Sequence, residues 1–97
     1  MELRFTGPIF FWRGPAPFHF VSVPEAESAA LADVSPLVSY GWGMIPATVR
    51  IGGTTATTAL WPKDGGYIVP VKRVFQDAEQ VSVGDTVTIV LTVDVRT

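Results

Sequence analysis

The chain has 97 residues, 47% of them hydrophobic and 16% charged, with a formal net charge of -2 and no cysteine. That length holds one compact core, and the missing cysteines exclude disulfides, thiol nucleophiles and thiolate metal sites. The near-balanced charge, with no Lys/Arg run, argues against nucleic acid, and no apolar stretch approaches the roughly 20 residues of a membrane helix.

The opening stretch MELRFTGPIFFWR carries an acidic second residue and no small-residue cleavage site, so no secretory signal is read and the cytoplasm is expected. Within it Leu3, Phe5, Ile9 and Phe11 recur at period two around Gly7-Pro8, which predicts a strand with a bulge or bend, because proline cannot donate to a central ladder. RGPAP at 13–17 predicts a turn and FHFVSV at 18–23 a returning strand, together a hairpin. SVPEAESAALADV at 22–34 changes to helical spacing. Ser22 and Glu25 stand at capping-box distance, Pro24 suits a first turn, and Ala26, Ala29, Ala30, Val34 and Leu37 make a modest apolar stripe. SPLVSYGWG at 35–43 predicts a loop.

MIPATVRI at 44–51 alternates Ile45, Ala47, Val49 and Ile51 with Met44, Pro46, Thr48 and Arg50, the pattern of a half-buried strand. Gly52-Gly53 turns it into the threonine-rich strand 54–61, and PKDGG at 62–66 turns that into YIVPVK at 67–72, three strands in meander order. RVFQDAEQ at 73–80 allows one or two helical turns, with Val74 and Ala78 four apart. VSVGD then leads into TVTIVLTVDV at 86–95, where Val87, Ile89, Leu91, Val93 and Val95 face one way and Thr88, Thr92 and Asp94 the other. Six strands and one or two short helices predict a mostly β chain, folded as a small closed antiparallel barrel. A double-psi or OB-like barrel stays open, since periodicity does not fix strand pairing.

The ordered segments FTGPIFFW, FHFVSVP, GWGMIP, VRIGGT, TALWP, GGYIVPVK and VSVGDTVTIVL make the chain resemble the DUF1905 family, a domain of unknown function in bacteria and archaea. The resemblance covers nearly the whole chain and implies a closed six-stranded barrel of the double-split type, in one domain over residues 1–97. It places the family's lysine at Lys72 and a basic stretch after it, where this chain has Phe75, Gln76 and Asp77. It also places TALWP, with Ala59 and Trp61, where TSLFP is common. An anion held by those basic positions in relatives is expected to bind here more weakly or not at all.

His19 is the only histidine, so no transition-metal site and no cofactor are expected, and an ordinary strand histidine is the plainer reading. The carboxylates are scattered over turns and helices, and IGGTT lacks the lysine of a phosphate loop. Three tryptophans, Trp12, Trp42 and Trp61, fall near strand ends or turns. They read first as plugs of the barrel ends, with Trp42 the most ambiguous because its flanking glycines permit either orientation. At a barrel mouth, aromatic rings also stack on a planar ligand while a cation or hydroxyl fixes its polar end. The candidate binding residues are therefore Trp42, Trp61, Tyr67, Lys72, Arg50 and Lys63, with no catalytic set. The expectation is a non-catalytic module for a small molecule or peptide. The alternatives are a structural or protein-interaction domain, such as a homo-oligomer, and a hydrolase or isomerase using His19 or Lys72.

Overall fold

A computed structural model describes residues 1–13 and 18–95. The elements in chain order are β1 (Glu2–Phe11), β2 (His19–Ser22), α1 (Glu25–Val38), β3 (Ile45–Ile51), β4 (Thr54–Lys63), β5 (Gly66–Pro70), α2 (Arg73–Glu79) and β6 (Thr86–Thr92). The strands close into one barrel in the order β1-β2-β5-β4-β3-β6, and every neighbouring pair is antiparallel. Six strands set this apart from the five-stranded OB barrel.

Alternation builds the interior. Phe5 and Ile9 from β1, Val21 from β2, Ile45, Ala47, Val49 and Ile51 from β3, and Val87, Ile89 and Leu91 from β6 all point into one core. Barrels of about eight strands are just wide enough for side chains to fill, so this narrower one has no lumen for a ligand. The predicted β6 ends early as a strand at Thr92, although Val93 continues the buried phase.

β1 is continuous across Gly7-Pro8. Its register against β6 runs unbroken from Glu2 to Pro8, with no bulge. Ile9 donates to the Asp85 carbonyl and accepts from Gly84, so the odd residues turn their backbone groups toward β6 and Pro8 turns its missing N–H the other way. β1 meets β2 only over Ile9–Phe11, and Pro8 costs the ladder nothing. Phe11, expected inside, lies at the strand end and is exposed. Of the RGPAP turn, residues 14–17 lie outside the described residues.

Two helices close the barrel ends. α2 packs on β4 and drives Phe75 into the core; its Gln76 reaches His19, and its Glu79 accepts a 2.6 Å bond from Thr54 at the β3–β4 hairpin. Val74 and Ala78, the apolar pair four apart, are exposed, because a seven-residue helix lying across a barrel end offers only the Phe75 face.

α1 packs on β5 and β3 and buries Leu31 and Ser28. Ala26, Ala29 and Leu37, read as its stripe, are exposed. The alanines of this helix differ too little from their neighbours in hydropathy to define a face. No capping box forms: Pro24 is the N-cap, without a side-chain bond, and Ser28 Oγ donates to the Val23 carbonyl. Residues 35–38, expected in a loop, extend the helix through Pro36, and the Ser39 amide closes it onto the Ser35 carbonyl.

Candidate functional site

The same alternation that fills the barrel aims a second set of side chains outward. Ile9 and Val21 face the core, so their neighbours Phe10 and Phe20, paired across β1 and β2, lie on the outer wall. Phe20 is nonetheless completely buried, because aromatic rings roof it from outside. Its ring centroid lies 6.1 Å from that of Phe10, 5.6 Å from Trp12 and 5.3 Å from Trp61. Trp12 and Trp61 meet edge to face at 6.2 Å. These spacings fall within the range of favourable aromatic pairs.

Lys63 follows Trp61 on the outward phase of β4. Its Nζ lies 5.4 Å from the Trp12 ring centre and 2.7 Å from Asp64 Oδ2, a cation held between a π face and a carboxylate. Beside it opens a groove of about 360 Å³, floored by Phe10 and Ile68 and edged by Ser22, Lys63, Asp64 and Tyr67. Ser22, expected to cap a helix, instead stands on this edge. Two further depressions, of about 520 Å³ and about 370 Å³, share Asp64 and Gly66 with it. One runs between α1 and the β4–β5 turn past Ala29 and Ala32; the other reaches Pro62 and Tyr67. The result is a trough that winds around the turn, with an aromatic rim at one end.

Of the six residues singled out from sequence, the fold gathers three here: Trp61 on the rim, with Lys63 and Tyr67 in the groove. Trp12 and Phe10 complete the wall. Trp12 was visible only as one tryptophan among three, and nothing in the periodicity marked Phe10.

Trp42 is no plug. It stands 96% exposed at the tip of a turn closed by the Tyr40–Met44 bridge, with Gly41 and Gly43 both at positive φ. Gly43 of this turn lies close to Pro62, which lines the trough. Trp42→Phe should therefore remove the iodide-accessible, red-shifted part of the tryptophan emission and change stability by less than about 0.5 kcal/mol. Protected residual emission from Trp12 and Trp61 is the expected remainder; unchanged quenching would contradict this placement.

Lys72 and Arg50 lie elsewhere. Lys72 is the N-cap of α2, and its Nζ donates to the Thr57 carbonyl at 2.7 Å, on the edge of β4 that β5 leaves open. Arg50 sits exposed opposite Thr55 on the outer face of β3. Thr55 and Thr57 of β4 lie between the two. His19 accepts or shares a 3.0 Å contact with Gln76 Nε2, which also donates to the Val71 carbonyl. Both His19 and Lys72 thus hold α2 against the barrel. Among the described residues, no three histidine or carboxylate side chains converge as a metal site would require.

The sequence pattern of the family described as "Domain of unknown function (DUF1905)" matches residues 5–91. The chain belongs to this family. The matched span runs from the buried Phe5 of β1 to Leu91 of β6, so it takes in all six barrel strands, both helices and the trough of this DUF1905 domain. No curated protein matches the chain. No helix among the described residues is long and apolar enough to cross a membrane.

Proposed function

We propose that this DUF1905 domain is a non-catalytic binding module whose ligand, a peptide segment or a small molecule with a planar apolar group, lies in the outer-wall trough. One observation carries the reading: an aromatic cluster on the outside of a closed barrel, half-buried at Trp12 and Trp61, adjoins through Phe10 and Lys63 a groove with a cation at its lip. Ordinary barrel walls turn polar side chains to solvent. Here the rings offer stacking surface, while Lys63, Asp64, Tyr67 and Ser22 offer donors and acceptors of both signs. That mixture suits amide and zwitterionic groups better than a bare anion. The length of the trough around the β4–β5 turn favours an extended segment over a compact ligand.

The test is intrinsic fluorescence against a panel of short peptides, sugars, nucleotides and metabolites. A saturable response is expected that survives Trp42→Phe and weakens about 10–100-fold in Lys63→Ala and in Trp61→Ala, with thermal unfolding confirming that each variant folds. A response that vanishes in Trp42→Phe and persists in the other two would move the site to the GWG turn.

The second reading, a protein-interaction domain, draws on the exposure of Leu37, Tyr40 and Trp42 along the end of α1 and the turn after it. Binding that depended on those three residues would favour it.

A further inference from the structure

The trough is not the only unfinished surface. Among the described residues β1 meets β2 over Ile9–Phe11 alone, and no other strand pairs with that edge of its first half. The odd residues bond to β6, as the reciprocal pair between Met1 and Val93 and the bonds at Ile9 establish. The amides and carbonyls of Glu2, Arg4 and Thr6 therefore point to the open side. Among the described residues none of them has a partner. The matching open edge of β4 is treated differently: there Lys72 reaches across to Thr57. An unpaired strand edge is a template for another strand unless something blunts it.

We infer that this edge pairs with the same edge of a second copy, antiparallel about a two-fold axis through Leu3. This inference is independent of the trough. Hydrogen-bonding phase and charge select the register together. With Leu3 on the axis, Glu2 faces Arg4 of the partner subunit and Arg4 faces Glu2 of the partner subunit, two opposite-charge pairs between exposed side chains at hydrogen-bonded positions. On the other face, half-buried Leu3 meets its own copy beside the exposed Met1. A two-fold at Arg4 would set two arginines directly opposite each other. Sliding further toward Thr6 would bring Pro8, which lacks an N–H, into the ladder. The edge is self-complementary in one register, the requirement of an isologous dimer.

Sedimentation equilibrium of the full chain, from micromolar to millimolar protein, tests this. The expected result is a reversible rise from the 10.5 kDa monomer to twice that mass. Arg4→Glu should weaken the dimer by more than about tenfold by setting carboxylates against Glu2, and the exchange Glu2→Arg with Arg4→Glu should restore it. Arg4→Pro removes the edge donor while leaving the β6 ladder intact, and should abolish the dimer, with circular dichroism confirming the fold. A monomer throughout the range, or a dimer indifferent to both Arg4 variants, would overturn the proposal.

Discussion

Phe75→Ala should destabilise the domain by about 3–5 kcal/mol, the usual cost of emptying a buried phenylalanine site. Phe75 is fully buried in the barrel core and is the only buried residue of α2. The remaining attachments of the helix are polar: the Gln76 contact with His19, the Glu79 bond to Thr54 and the Lys72 strap on Thr57. Each contributes roughly 0.5–3 kcal/mol at most, and none closes the barrel end against water. Small domains hold only about 5–15 kcal/mol in total, so the variant should have a much lower urea midpoint and a partly unfolded population at physiological temperature. Val74→Ala, one residue away and exposed, is the control and should change the midpoint little. Similar midpoints for the two variants would mean that α2 does not seal the core through Phe75.

Gly52→Ala should cost about 2.5–5 kcal/mol through two separable effects. Gly52 sits at φ 58°, where an L-residue with a Cβ pays about 1–2 kcal/mol. The new methyl would also occupy the place of the Glu79 carboxylate, forcing that side chain out and breaking its bond to Thr54. A charge-assisted bond of this kind contributes roughly 1.5–3 kcal/mol. A double-mutant cycle separates the two. In a Glu79→Ala background, Gly52→Ala should retain only the backbone cost, leaving a coupling of about 1 kcal/mol or more. Strict additivity would remove Glu79 from the account of this turn.

These two positions also mark where the sequence was informative and where it was not. Gly52-Gly53 between two β-branched runs announced its hairpin, because only a tight turn explains two glycines there, and β3 pairs with β4 from Ile51–Thr54 outward as that turn requires. The strict alternation of Val87, Ile89 and Leu91 likewise has one physical solution, a strand with one face buried. Phe75 was not legible. A seven-residue helix gives less than two turns of period, too few to distinguish its contact face from the Val74–Ala78 pair. The helix expected over 22–34 forms as α1, but its buried face was not legible for the opposite reason: it has length but little contrast among its alanines.

The candidate site was half legible. Trp61, Lys63 and Tyr67 lie on consecutive strands joined by the Asp64-Gly65 turn, so their proximity follows from local chain geometry. Their meeting with Trp12 and Phe10 depends on β2 and β5 pairing side by side, a long-range choice that side-chain period does not encode. Trp42, Arg50 and Lys72 had the right residue types without that shared placement. Glycines on both sides of Trp42 allowed an inward or an outward ring, and positive φ at both turned it to solvent.

We propose that ligands meet the outer wall at the trough. The most direct test is a ¹⁵N–¹H correlation spectrum of the full chain, titrated with capped aromatic dipeptides and with aryl-substituted amides. Saturable shifts confined to Phe10, Trp12, Ser22, Trp61, Lys63, Asp64 and Tyr67 are the predicted result. Saturable shifts centred instead on Trp42 or on Arg50, with the trough amides unmoved, would contradict it.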